Sequence, residues 1–306
     1  MNTVVPGEGE QGSGPEEGSA DAPAEATVLR MLLGAQLRRL RETAGISAEK
    51  AGYEIRASRS KISRMETGRV GLKARDVEDL LALYGVTDEQ QRAKVVALAD
   101  RSRAPEWWAK YHEILPDWFE TYLGLESAAT SIRSFEMQFV PGLFQTEDYA
   151  RAVTRLGHQT ALTDEIERRV GLRLKRQELL TRAQPPPPRI WAVVDEAVLR
   201  RPVGGADVMR AQLARLVEAA RTPRVTLQVV LFARGGHAAA GGSFSLLRFE
   251  DRDLPDVVYI EQLTSAVYLD QRPDIEHYLE VVDQLSGEAL TPQETIRFIE
   301  QVAQET

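Results

Sequence analysis

The residues best able to do chemistry in this chain lie together between Ala57 and Val70, in the stretch ASRSKISRMETGRV. At about 3.6 residues per helical turn, Ser60 and Arg64 share one face, flanked by Arg59 and Lys61, while Ile62 and Met65 project to the other. One side can pack and the other can meet an anion, because ammonium and guanidinium groups only donate hydrogen bonds and a guanidinium can grip two acceptors at once. Ser58 is placed to cap the helix N-terminus, and Gly68 stands where a helix closes through a left-handed residue. The expected helix is therefore short and offers its N-terminal half outward. Arg69, just past the closure, adds another cation to the set.

Such a helix needs a frame. Arg30 to Thr43 repeats apolar residues at Leu33, Leu37 and Leu40, which predicts an amphipathic helix closed by Gly45. Ser47 caps a second short helix to about Glu54, and Ile55 to Ala57 form a turn that lets two helices cross steeply. Ala74 to Tyr84 supplies Val77, Leu80, Leu81 and Tyr84 as a further core face, and Asp88 to Asp100 reads as a fifth helix. From Val28 to Gly85 there are twelve bases and seven acids, in a chain of net charge -8. A basic island in an acidic chain is the electrostatic footprint of a polyanion contact, and double-stranded DNA is the expected partner.

The segment SKISRMETGR with its flanking helices, roughly Leu33 to Val86, resembles the Cro/cI-like or Xre-type helix-turn-helix regulators. The resemblance implies an all-α five-helix DNA-binding domain in which an Arg of the first helix pairs with the Glu ending the third. Here those positions are Arg41 and Glu66, a structural pair. It also places base reading on Arg59, Ser60, Lys61 and Arg64, with Ser58 beside them. Two positions depart from the pattern. Ala48 stands where a Gln is common and cannot donate to a phosphate, so that contact falls to the Ser47 hydroxyl or to backbone amides. Arg56 replaces the small turn residue, and bears a steric cost if its φ is positive.

At 306 residues the chain has room for more than one domain. It has no cysteine, which excludes disulfides and Cys-containing zinc sites and suits a reducing cytoplasm, with nucleoid association when DNA is bound. No apolar run approaches the roughly 20 residues of a membrane span, and the acidic start does not resemble a signal peptide. Residues 1–27 hold six acids and no base among Gly, Pro, Ser and Ala, and are expected to be a disordered acidic tail. Residues 28–102 form the helical domain.

Residues 103–184 read as a helical and aromatic connecting region with one strand. Pro105 to Leu125 concentrates three of the four tryptophans. Trp107, Trp108, Tyr111, Trp118 and Tyr122 are candidates for packing between domains or for an effector or partner region. Ser131 to Phe139 alternates as a strand with one largely apolar side. Thr146 caps a helix to about Arg155, and Thr163 caps a long one to about Arg182 whose bases read as a solvated or interface face.

The prolines Pro185 to Pro188 form a stiff spacer, expected to open an α/β domain over residues 185–306. Strands are predicted at Ile190 to Val194, Val225 to Phe232, Phe244 to Phe249 and Val257 to Glu261, and helices at Ala206 to Arg221, Asp274 to Leu285 and Pro292 to Val302. The segments WWAKYHEILPDWFETYLGLE, FVPGLFQTEDYARAV and VVYIE resemble the actinobacterial branch of Xre-type regulators with an uncharacterised C-terminal domain. That resemblance implies an antitoxin-like role with a small partner protein encoded nearby.

An enzymatic reading finds little support. The glycine-rich loop ARGGHAAAGG lacks the following Lys-Ser/Thr of a phosphate loop and runs toward a strand, so a mobile loop is expected. No lysine follows Lys175, which removes a paired His–Lys site from the sheet domain, and Ser243 beside His237 is a weak coincidence. No catalytic residue, metal site or cofactor is expected. The sequence reads as a multidomain chain, all-α then α/β with a mixed sheet, that binds DNA in sequence-specific fashion as a homodimer. The rival reading is an antitoxin-like interaction module that binds a small partner protein without an operator.

Overall fold

The computed structural model describes residues 23–104, 106–250 and 254–306. Five helices come first: α1 (Pro23–Thr43), α2 (Ala48–Glu54), α3 (Arg59–Glu66), α4 (Ala74–Leu83) and α5 (Glu89–Arg101). Their apolar stripes meet in one core built on Leu33, Leu37, Ile62, Met65, Val77, Leu81 and Val95. Ser47, Ser58 and Asp88 cap α2, α3 and α5 through their side chains.

The first helix starts earlier than its sequence pattern suggests. Residues 1–22 of the expected acidic tail lie outside the described residues, but Pro23 to Thr27 belong to α1, and Ala26 and Thr27 are buried. The reason is tertiary. Val28, Met31 and Leu32 turn away from the helical domain into the core of the following domain. There α1 crosses α6 (Asp117–Ala128), so closely that a Cβ on Gly124 would lie 2.1 Å from the Thr27 hydroxyl. Thr27 donates to Glu106 at 2.8 Å, and Arg30 reaches Glu106 at 3.1 Å and the Ser102 carbonyl at 3.2 Å. Burial pushes the Glu106 carboxyl above its ordinary value, while Thr27 and Arg30 pull it back. One helix thus serves two cores.

The remainder is a mixed sheet between helical layers. Its strands are β1 (Ser131–Glu136), β2 (Arg189–Asp195), β3 (Val225–Val230), β4 (Phe244–Arg248), β5 (Val257–Glu261) and β6 (Ala266–Leu269), in the order β3-β2-β1-β4-β5-β6. β1, β2 and β3 are parallel, with Ser131 opposite Arg189 and Ile190 opposite Val225. The last three strands run antiparallel, β4 beside β1 with Ser131 opposite Arg248. The crossover from β1 to β2 carries α7 (Glu147–Gly157) and α8 (Thr163–Gln177), and that from β2 to β3 carries α9 (Glu196–Arg200) and α10 (Ala206–Ala220). Two helices, α11 (Arg272–Glu288) and α12 (Pro292–Glu305), close the chain. α10 and α12 cover one face with Leu213, Leu216 and Ile299, and α11 covers the other with Ile275, Val282 and Leu285.

The order of α then α/β matches the sequence reading, but its internal boundary does not. β1 lies in the middle of the sheet, so the division expected at residue 185 falls inside one structure, and the four prolines merely lead into β2. β1 is buried on both faces, through Ile132 on one and Phe135 on the other, because helices cover both; a single apolar side was expected. The glycine-rich loop, expected to be mobile, sends Ala239 into the core and sets His237 edge-on to Phe135 at 4.9 Å.

Candidate nucleic-acid interface

α3 is held by one face and bare on the other. Ile62 and Met65 are 1% and 2% exposed, whereas Ser58, Arg59, Ser60, Ser63 and Arg64 all face solvent and Lys61 is half-buried. Three devices fix this orientation. The Ser58 side chain accepts from the Lys61 amide at 3.2 Å and starts the helix. Gly34 lets α1 cross α3 at backbone distance, since a Cβ there would lie 2.5 Å from the Met65 carbonyl oxygen. Arg41 then clamps the helix end: its Nε donates to Glu66 Oε1 at 2.6 Å, its Nη2 to Oε2 at 2.9 Å, and its Nη1 to the Ile46 carbonyl at 2.9 Å. The Glu66 hydrogen bond raises the Arg41 guanidinium above its ordinary value. The pair is largely buried and bidentate, the geometry in which an ion pair specifies position.

The turn between α2 and α3 aims the bare face. Arg56 adopts φ +54, the left-handed conformation its side chain disfavours, and the Ala57 amide returns to the Gly52 carbonyl at 2.7 Å. Around the turn Lys50, Arg56, Arg59 and Arg64 stand exposed. Arg64 has no ion pair among the described residues. Arg59 lies 3.3 Å from Glu49, both largely in water, a pair too exposed to hold the guanidinium against a phosphate or a base. The Ser47 side chain accepts from the Lys50 amide at 3.2 Å and stands beside Glu49, whose carboxyl is held low chiefly by its own backbone amide. Glu49, beside the exposed face, was not singled out from the sequence; its meeting with Arg59 depends on the crossing of two helices.

Two groups of candidate residues are placed elsewhere. Arg69 is withdrawn from the exposed face: Nη2 donates to the Tyr268 carbonyl at 2.8 Å, the guanidinium lies over the Tyr268 ring at 4.9 Å, and Asp270 stands 3.9 Å away. The chain leaves Gly68 toward the sheet edge, so Arg69 joins the domains and does not extend the DNA face. The aromatic stretch is consumed by packing, and of its residues only Leu125, at its end, lines the cleft between domains, with no aromatic ring among the lining from this stretch. Trp107, Trp108 and Tyr111 cluster with Leu115, Leu123 and Leu172. Trp118 and Tyr122 join the main core, with Tyr122 at 4.2 Å from the Tyr259 ring and donating to Glu126 at 2.9 Å. Arg176 of α8 closes that buried set by pairing with Glu126 at 2.8 Å. Among the described residues no group of three or more His, Asp or Glu is arranged to hold a metal ion, and no helix is long and apolar enough to cross a membrane.

Residues 32–95 match a helix-turn-helix domain, which makes the exposed face of α3 part of a DNA-binding regulator. Residues 119–301 match a domain of unknown function, DUF5753, and this stretch contains the whole sheet with α7 to α11. No curated protein and no solved structure matches the chain. Since the second match spans more than half of its length, the chain belongs to the DUF5753 family, here with a helix-turn-helix domain in front.

Proposed function

We propose that this protein is a sequence-specific transcriptional regulator of the Xre, Cro/cI type, whose α3 enters the major groove and whose C-terminal domain receives an effector or a small partner protein. The observation that carries the reading is the division of α3: Ile62, Met65 and the Arg41–Glu66 clamp immobilise one side, and Arg59, Ser60 and Arg64 stand exposed on the other. An immobilised helix with exposed arginines suits base reading, because each guanidinium can address guanine O6 and N7 without paying for ordering of the backbone. The dimeric form follows from the same reading: two copies related by a two-fold axis read half-sites about 34 Å apart.

The proposal assigns the chain no catalytic step. The antitoxin-like role and the neighbouring partner protein rest on the family resemblance alone.

The test is genome-wide mapping of bound DNA for the wild type beside an Arg59→Ala/Arg64→Ala double variant. Discrete peaks that share a palindrome and vanish in the variant are expected. Peaks that persist in the variant, or none for the wild type, overturn the assignment of α3 and move attention to the C-terminal domain and its protein partner.

A further inference from the structure

A cleft of about 320 Å³ separates the helical domain from the edge of the sheet. Met31 and Ala35 of α1 and Val257 of β5 give it apolar walls, Tyr268 of β6 adds a ring, and Arg38 and Arg69 bring positive charge. Pockets of this kind, mostly apolar with a few convergent polar groups and set between domains, are where small ligands bind.

The carboxylates around the cleft do not neutralise it evenly. Glu66 is taken by the two-pronged bond from Arg41, and Glu42 holds Arg38 at 2.9 Å. Asp270 is left for Arg69, and at 3.9 Å it is beyond hydrogen-bond reach. Arg69 has five N–H donors, of which one reaches the Tyr268 carbonyl, and its side chain is only 27% exposed. Burial lowers its pKa, with the charge of Asp270 opposing, as expected for a cation short of counter-charge.

We propose that this cleft binds a small amphipathic anion, one carboxylate, sulfonate or phosphate group on an apolar body. The acidic group takes the free donors of Arg69, and the body lies along Met31, Ala35 and Val257. Arg69 follows closely on Thr67, the C-cap of α3, so a ligand that draws it from Tyr268 and Asp270 acts on the contact between the DNA-reading helix and the sheet. This deepens the effector reading above and rests on it only for the consequence at DNA.

The probe is anilinonaphthalene sulfonate, whose fluorescence rises in an apolar site, titrated into the full-length protein beside phenylnaphthylamine, the same rings without the sulfonate. The expected result is one saturable site for the sulfonate dye, weakened about tenfold or more by Arg69→Gln, as loss of a charged hydrogen bond requires, with the neutral dye unaffected. Ala35→Trp, which fills the cleft from a half-buried position of α1, is expected to abolish binding of both dyes with the thermal midpoint held. Equal affinity of the sulfonate dye for wild type and Arg69→Gln, undiminished binding to Ala35→Trp, or no saturable site on the wild type overturns the proposal. No DNA enters the assay, so its failure leaves the DNA-binding reading standing, and a failed DNA-mapping experiment leaves the dye result standing.

Discussion

At Arg64 the bare face of α3 carries a guanidinium that nothing else in the described structure engages, one turn beyond Ser60. Replacing it with Ala is expected to cost roughly 1–3 kcal/mol of specific binding and to flatten the preference at one base pair, as a bidentate contact to guanine would. Titration against an operator and single-base variants measures this, and an equal loss on every sequence would reassign Arg64 to phosphate positioning. A second residue sets a pH dependence far from DNA. Glu136, at the end of β1, keeps slight exposure, yet burial of its carboxyl, aided by the charge of Glu261 and opposed by the Ser243 hydroxyl, pushes it from 4.5 up to about 7. The folded chain therefore keeps a proton that the unfolded chain has already released. Its contribution to stability is complete below about pH 4.5 and is lost as pH rises through 7. Glu136→Gln removes the titration, so the difference in unfolding free energy between variant and wild type should grow in the variant's favour from pH 5 to pH 8. A difference independent of pH would place the carboxyl in water.

At the scale of elements, α3 depends on how closely α1 can pass it. Gly34 is the point of approach: a Cβ on it would stand 2.5 and 2.6 Å from the Met65 and Glu66 carbonyl oxygens, so a methyl group must push the helices apart. Gly34→Ala is expected to destabilise the protein by about 1–3 kcal/mol, the usual cost of overpacking, despite the better helix propensity of Ala. It should also slacken the Arg41–Glu66 clamp, which spans the same crossing. A thermal midpoint equal to wild type would show that α1 and α3 can separate at little cost. Arg56 shows the opposite economy: the turn before α3 accepts a left-handed arginine, and the charge it gains there stands exposed, as does that of Arg59.

At the scale of the molecule, α1 packs into the cores of both domains. Its N-terminal turns give Val28, Met31 and Leu32 to the core of the sheet domain, and its middle gives Leu33 and Leu37 to the helix-turn-helix core. A fragment of residues 23–102 keeps the second set covered and exposes the first, and loses Glu106 as the partner of Arg30 and Thr27. It is expected to fold with a lower thermal midpoint than the full chain, and amide exchange should show residues 23–32 frayed. A midpoint equal to that of the full chain would make the domains independent.

The five helices of the DNA-binding domain apart from the first turns of α1, the caps at Ser47 and Ser58, and the division of α3 into packed and bare faces were legible in the sequence. Each depends on residues within a turn or two, where a period of about 3.6 and a capping side chain act directly. The sheet was legible in part: most strands could be read, but β6 is four residues long on an open edge, and the place of β1 at the centre depends on partners that return only at Arg189 and Phe244. Arg69 looks like a member of the basic set until the sheet edge supplies Tyr268, nearly two hundred residues later. The tryptophans announce burial by their composition but not what they are buried against. The direction in which a side chain leaves its helix is a local matter of backbone geometry; which surface waits for it is decided by the long-range packing that only the tertiary structure contains.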